Sequence, residues 1–433
     1  MKYFGTDGIR GEANKTLTAE LSFKLGQALS LLDSKVMVIA TDTRASKDML
    51  KCAIIAGALS MGIDVIDADI APTPALIYYS QIKKITGIMV TASHNPYKDN
   101  GIKVLNKGVK LDESKELEIE NFIDNDICNY NGEVGVITNI DIKIPYFEFL
   151  DEFVVKTNKK IAIDCANGAT YQTAPMILKK ACSNLVICAN NPDGYNINRQ
   201  VGSTHLDNLK EFVLENKWDY GFAFDGDGDR VLAVDNLGRI IDGDMLIYIL
   251  GSYLYKNNKL NHNQIVFTCM SNLGMLKKLH EKNIKTSITP VGDKYVVKEL
   301  LDNNYSVGGE ASGHIIMPDI LKTGDGVLIA LYIIKVLEET NTSFDDYLNE
   351  IEYYPEVLIN LKVQNKKAYL EEEVQNKIKE IKNIFKEDGK VFIRESGTED
   401  LVRITVSCKK KDDMDKYSME LKNLILKYTK VVD

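Results

Sequence analysis

Three times the chain runs from a buried strand through a polar loop into a helix and out to a second strand. Val36 to Ala40, the loop Asp42-Thr43-Arg44, a helix from Lys47 to Met61 capped by Ser46, and Ile63 to Ala68 make the first round. Ile161 to Asp164, the turn Asn167-Gly168, a helix from Thr173 to Ala181 and Leu185 to Ala189 make the second. Ile265 to Cys269, the cap Ser271-Asn272, a helix from Leu273 to Glu281 and Lys285 to Pro290 make the third. Short apolar runs alternating with capped helical periods call for α/β layers. The recurrence is one of pattern, not of residues, and predicts three related α/β domains with mixed sheets. From Tyr354-Pro355 the plan changes to strand Val357 to Val363, helix Ala368 to Phe385, strands Lys390 to Arg394 and Leu401 to Ser407, and helix Asp413 to Lys427. That is a smaller C-terminal α+β domain. A chain of 433 residues exceeds one hydrophobic core. The expected divisions are 1–145, 146–256, 257–353 and 354–433.

Net charge is −9 with no long basic stripe, which argues against a nucleic-acid partner. Any anionic ligand must then be met by a local basic pocket. The seven cysteines form no CxxC pair, and Cys52, Cys188 and Cys269 sit in apolar runs, so a reducing compartment fits better than a disulfide framework. The N-terminus lacks an apolar signal core and no stretch is long enough to span a bilayer, so the expected location is the cytoplasm, without membrane contact.

Five stretches carry chemistry. In Ile85 to Val104, the strand Ile88 to Val90 runs into Ser93-His94-Asn95-Pro96, a turn set by the fixed φ of Pro96. Asp99-Asn100-Gly101 reads as a second turn before the apolar run Ile102 to Leu105. Ser93, His94 and, ten residues on, Lys103 give a hydroxyl with an imidazole and an amine to serve it. Near the N-terminus, Arg10 in a glycine-rich turn suits a phosphate.

Asp225-Gly226-Asp227-Gly228-Asp229-Arg230 lies between two short strands, Tyr220 to Phe224 and Val231 to Val234. Alternation with glycine lets three carboxylates converge, and anions this close need a cation. Oxygen ligands select a hard ion, Mg²⁺, one per chain. The EF-hand is excluded because its twelfth position here is Asn236. Gly308-Gly309-Glu310-Ala311-Ser312-Gly313-His314 follows a strand, Tyr305 to Val307, and its glutamate and serine suit vicinal sugar hydroxyls. Asp325 reads as the N-cap of the helix that follows. Arg394 to Arg403 brackets a Ser-Gly-Thr turn with two arginines, a fitting nest for a phosphate dianion. The serine turn, the aspartate trio, the glutamate-serine loop and the arginine nest fall in four different expected domains, so the active site is expected at their junction.

The motifs TASHNP (91–96), DGDGDR (225–230), GEASGH (309–314) and RESGTEDLVR (394–403) together resemble the α-D-phosphohexomutase family over essentially the whole chain. Within it, YFGTDGIRG, TCMSNLG (268–274) and PVGDKYV (290–296) are similar to the bacterial branch that acts on glucosamine phosphates. The resemblance implies an isomerase, an intramolecular phosphotransferase. It would interconvert glucosamine 6-phosphate and glucosamine 1-phosphate, through a phosphoserine and a bisphosphorylated sugar that is intermediate and activator, and so feed amino-sugar and cell-wall synthesis. Ser93 would carry the phosphoryl group and, with Asp225, Asp227 and Asp229, ligate Mg²⁺. Arg10 and Lys103 would lie beside the phosphoserine, with Lys103 or His94 as acid/base. Arg230, Glu310, Ser312 and His314 would meet the substrate. Arg394, Ser396, Gly397, Thr398 and Arg403 would hold the phosphate that is not reacting. A hexosamine phosphate is the implied partner, and a homodimer is one assembly open to the chain.

The chain departs from the family pattern at three places. Ala311 stands where the glucosamine branch has Gln and the mannose/glucose branch Met, Lys294 where an Arg is common, and Asp400 where a Pro is frequent. The alternatives are a phosphomannomutase/phosphoglucomutase, a non-catalytic sugar-phosphate-binding protein and a metal-dependent phosphatase.

Overall fold

The computed structural model describes residues 2–5, 7–125, 127–128, 130, 132–395 and 401–431. They form two compact units, residues 1–269 with 287–345, and residues 270–286 with 346–433.

In the first unit the strand-loop-helix pattern becomes three mixed sheets. The N-terminal sheet runs Phe4–Gly5, Gly8–Glu12, Asp99–Asn106, Thr86–Val90, Val36–Thr41, Asp64–Ile70, Ile137–Asn139. Thr86–Val90 is buried along its whole length, as a strand covered on both faces must be. It pairs parallel with Val36–Thr41 and antiparallel with Asp99–Asn106. The same device recurs twice. Tyr220–Phe224 pairs parallel with Thr157–Asp164 and antiparallel with Val231–Asp235. Gly308–Gly309 pairs parallel with Gln264–Thr268 and antiparallel with Ile315–Met317. Each time, the connection leaving the C-terminal end of a central parallel strand carries one of the chemical motifs, which is where α/β sheets present ligand loops.

Helices Ala19–Ala28 and Lys47–Ser60 cross on the N-terminal sheet, burying Leu25, Ile54 and Ala58 against Met37, Ile39 and Ile88. They touch at glycines. A methyl group on Gly57 would run into the carbonyl of Phe23, and one on Gly26 into that of Ile54. Gly57→Ala is therefore expected to destabilise the protein by about 1–3 kcal/mol in chemical denaturation, despite the better helix propensity of alanine. Helix Gly326–Thr340 is apolar over most of its length and buried without a break from Gly326 to Leu331, with its charged last turn reaching solvent at Glu339. Asp325 caps it by accepting from the Leu328 amide, and the Tyr146 hydroxyl donates to both Asp325 oxygens at 2.9 and 2.8 Å.

The second unit packs helices Glu372–Phe385 and Lys411–Ile425 on a sheet ordered Glu356–Lys362, Leu401–Cys408, Gly389–Glu395. Helix Leu273–Glu281 belongs to it. Its cap residue Asn272 donates to the carbonyl of Tyr354 at 2.8 Å, and Lys390 Nζ donates to the carbonyls of Met270 and Ser271 at 2.6 and 3.0 Å.

Four local expectations are corrected. Asp99-Asn100-Gly101 is not a turn but the start of strand Asp99–Asn106, because Glu12, Gly11 and Arg10 pair with it in register. Ser46 has helical backbone and caps nothing; its hydroxyl accepts from Asn100 Nδ2 at 2.9 Å. The strand expected at Tyr305 to Val307 forms instead at Gly308–Gly309. The helix expected from Ala368 is broken, with a 3₁₀ turn at Lys366–Leu370 before the α-helix starts at Glu372. No helix among the described residues is long and apolar enough to cross a membrane.

Candidate active site

Ser93 lies just past strand Thr86–Val90 with φ +50°, a left-handed conformation that costs a non-glycine residue energy and so needs support. Its N–H donates to Thr91 Oγ1 at 2.9 Å, and its carbonyl accepts from Asn198 Nδ2 at 2.8 Å and from Arg44 Nη2 at 2.9 Å. The hydroxyl is thereby aimed at the acidic loop, where it donates to Asp225 Oδ2 at 2.6 Å. His94 Nδ1 is 3.3 Å from the same Oγ. Burial, then the nearby Arg230 and Arg10 charges, push the His94 imidazole down to about 4.

The acidic loop places one carboxylate oxygen from each of Asp225, Asp227 and Asp229 within 4.8 Å of the others, all three residues buried. Glycine is required twice. Gly226 packs on the Ser93 carbonyl, which leaves no room for a side chain, and Gly228 turns at φ +77° against Thr170. Asp225 Oδ1 accepts from the amides of Gly228 and Arg230 at 3.0 and 3.1 Å. Asp227 Oδ2 accepts from Thr73 Oγ1 at 2.6 Å and from Lys103 Nζ at 2.9 Å. Asp227 Oδ1 and Asp229 Oδ1 are buried with no hydrogen-bond partner among the described residues. Asp229 Oδ1 has His314 Nδ1 and Arg230 Nε near it at 3.6 and 3.8 Å, beyond hydrogen-bond reach; buried anionic oxygens without a hydrogen bond are costly, and a hard cation is the guest that satisfies them. Burial, followed by the Asp229 and Asp227 charges, raises the Asp225 carboxyl well above its ordinary range.

Lys103 rises from strand Asp99–Asn106 into this cluster, 3.1 Å from Asp229 and 3.1 Å from Asp7 as well as on Asp227. Burial opposes its charge, but Asp227, Asp229 and Asp7 outweigh it and hold the ammonium well above the usual lysine range. Asp7 also accepts from Arg10 at 3.0 Å and from Lys110 at 2.6 Å. The predicted group Ser93, His94, Lys103, Arg10 and the three aspartates is thus brought together.

Of the sugar-loop residues, Ser312 is exposed and Glu310 half-buried, with Glu310 Oε1 accepting from the Gly292 amide at 3.0 Å. His314 is buried behind the triad, its Nδ1 3.6 Å from Asp229 Oδ1. Burial disfavours its charge, yet the Asp229 carboxylate raises its pKa above the ordinary value. Arg230 is half-buried, its Nε 3.8 Å from Asp229. Arg394 and Arg403, in the other unit, are direct cross-strand partners. Ser396, Gly397 and Thr398 lie outside the described residues.

Three contributors were not singled out in the sequence. Arg44 and Asn198 hold the serine loop, and Thr73 orients Asp227. Thr73 sits in Pro72-Thr73-Pro74 at a helix start, a signal of geometry and not of chemistry.

All four domain models of one family match the chain. Phosphoglucomutase/phosphomannomutase α/β/α domain I matches residues 1–128, domain II 145–238, domain III 242–354 and the C-terminal domain 358–424. The chain is 43% identical to a phosphoglucosamine mutase of Ruminiclostridium cellulolyticum and 42% identical to that of Acetivibrio thermocellus, each over 98% of both chains. Among solved structures, a phosphoglucomutase/phosphomannomutase family protein from Burkholderia thailandensis superposes with a TM-score of 0.83 at 22% identity, covering 98% of this chain and 96% of that one. The carboxylate trio, the serine set on it and matches along nearly the full length agree: this chain belongs to the phosphoglucomutase/phosphomannomutase family, the phosphohexomutases that its four motifs resemble.

Proposed function

We propose that the chain is a phosphoglucosamine mutase, interconverting glucosamine 6-phosphate and glucosamine 1-phosphate with Ser93 as phosphoryl carrier. The observation that carries this reading is the 2.6 Å hydrogen bond from Ser93 Oγ to Asp225, inside a trio of buried carboxylates. Asp225, Asp227 and Asp229, with the serine phosphate, would hold Mg²⁺. Bound there, the ion supplies charge neutralisation for a transferring phosphoryl group.

In the forward direction the O1 hydroxyl of glucosamine 6-phosphate attacks phosphorus on Ser93. The Ser93 O–P bond breaks as the O1–P bond forms; the hydroxyl proton passes to the neutral His94 imidazole, and the departing Ser93 Oγ takes a proton from the Lys103 ammonium, which has no lone pair to serve as base. The resulting 1,6-bisphosphate presents its other end, Ser93 Oγ takes the 6-phosphoryl group, and O6 recovers a proton. Arg10 and Arg230 bring positive charge to the reacting phosphate. Glu310 and Ser312 accept and donate hydrogen bonds to the sugar hydroxyls. Arg394 and Arg403, with Ser396 to Thr398, take the phosphate at rest.

The relatives at 42–43% identity support glucosamine as the sugar. The expected result is a higher kcat/KM on glucosamine 6-phosphate than on mannose 6-phosphate. A clear preference for mannose 6-phosphate would move the chain to the mannose/glucose branch. Release of inorganic phosphate without isomer would make it a phosphatase.

A further inference from the structure

We propose that Arg44, seconded by Asn198, is the positioning residue that fixes the Ser93 backbone and with it the aim of the Ser93 hydroxyl. The proposal rests on Ser93 being the phosphoryl carrier. Arg44 follows strand Val36–Thr41, whose C-terminal end lies beside that of the serine strand, and its side chain has no solvent exposure. A guanidinium has five N–H donors, and here all are used. Nε donates to Asp42 Oδ2 at 2.8 Å, Nη1 to the carbonyls of Pro96 and Asp99, and Nη2 to those of Ser93 and Asn95 at 2.9 and 2.8 Å. Four carbonyls of the serine loop therefore converge on one planar group. Asp42 closes the circuit: it accepts from Thr91 Oγ1 at 2.7 Å, and Thr91 Oγ1 in turn accepts the Ser93 N–H. Both backbone polar groups of Ser93 are thus tied, directly or through one hydroxyl, to the Asp42–Arg44 pair.

An ordinary buried ion pair would steady the fold without choosing a loop conformation. This one spends four of its five donors on the segment that carries Ser93 in a left-handed conformation. Asn198 Nδ2 adds bonds to the same Ser93 carbonyl and to that of Asn95, at 2.8 and 3.1 Å. Gly226 of the metal loop packs on that carbonyl too. The anchor therefore sets the position of the hydroxyl relative to Asp225. Lysine, a point charge with three donors, cannot bridge four carbonyls in a plane.

The test is single-turnover transfer from enzyme phosphorylated on Ser93, read per phosphorylated chain, with steady-state kcat and KM alongside. In Arg44→Lys the transfer rate and kcat are expected to fall about 100-fold, as for a nucleophile displaced by an ångström, with KM for glucosamine 6-phosphate within about twofold. Asn198→Asp keeps the shape and tolerates the left-handed backbone at residue 198, but turns the donor into an acceptor facing two carbonyls. A loss of about tenfold in kcat is expected there, and this variant decides the matter should Arg44→Lys not fold. Lys51→Met, which breaks the largely buried Lys51–Asp67 pair on the neighbouring helix, controls for lost stability and keeps the parent kcat. Retention of kcat per phosphorylated chain in Arg44→Lys and Asn198→Asp would overturn the proposal, as would an equal loss in Lys51→Met. Turnover persisting in Ser93→Ala would instead remove Ser93 from its role, a separate failure.

Discussion

Ser93→Ala is expected to yield a folded protein without mutase turnover, a loss of roughly four orders of magnitude or more, as when other enzymes lose their nucleophile. No neighbouring group can replace the hydroxyl. His94 is the other nucleophile at hand, but a phosphoryl group on its ring would start 3.3 Å from where Oγ stood, outside the aim that the loop sets. The fold should survive. Ser93 Oγ makes its short hydrogen bond only to Asp225, and losing that donor costs about 1–3 kcal/mol. The left-handed backbone is held by Arg44, Asn198 and Thr91 through hydrogen bonds to the Ser93 carbonyl and N–H, which do not depend on the side chain of residue 93. Circular dichroism and thermal unfolding close to the parent, with no detectable glucosamine 1-phosphate, is the predicted pair of results. Near-parent turnover would take the phosphoryl carrier away from this loop.

Asp227→Asn should remove most activity and, more tellingly, the response to metal. A cation held by the trio binds the folded state only, so Mg²⁺ is expected to raise the parent's melting temperature in proportion to the logarithm of its excess over Kd. Asp227 offers a buried oxygen with no hydrogen-bond partner among the described residues, while its other oxygen is already taken by Thr73 and Lys103. An amide in its place removes one negative charge from the trio, and both the melting shift and restoration of activity after chelation should fail. The pH dependence has a definite sign. The Asp225 carboxyl is raised in the metal-free fold, so its contribution to stability is present at low pH and is lost as pH rises through its folded-state value. His314, also raised, acts in the same direction above its ordinary range. Asp229 is lowered, chiefly because Lys103 and His314 outweigh its burial, so its contribution is lost only as pH falls through the acid range. From about pH 4 upward the metal-free protein should therefore lose stability from this cluster. The increment restored by Mg²⁺ should grow with pH, because binding displaces the proton on Asp225. A melting temperature indifferent to Mg²⁺ at every pH would contradict the trio as a cation site.

What could be read from the sequence was what residue types announce by themselves. Tyr220–Phe224, Thr173–Ala181 and Leu273–Glu281 fall at the expected residues because apolar periodicity and caps bound them locally. The trio was legible because three aspartates separated by single glycines have few other reasons to exist. Asp99-Asn100-Gly101 misled for the opposite reason: it is an ideal local turn, overruled by pairing with Gly8–Glu12 from the far end of the sequence. The role of Arg44 is invisible in sequence because four of its five donors go to backbone carbonyls, which every residue has. Asn198 and Thr73 reach the site from elements more than a hundred residues away from their partners, and no local pattern records such contacts.

The central claim is that a phosphoryl group on Ser93 passes to the sugar and is replaced from its other end. Enzyme carrying isotopically labelled phosphate on Ser93 is mixed with unlabelled glucosamine 6-phosphate and Mg²⁺, and the label is followed by mass spectrometry of protein and sugar together. Label is expected at position 1 of the sugar, first in the bisphosphate and then in glucosamine 1-phosphate, with unlabelled phosphate now on Ser93. Label retained on the protein while glucosamine 1-phosphate accumulates, or label released as inorganic phosphate without isomer, would contradict it.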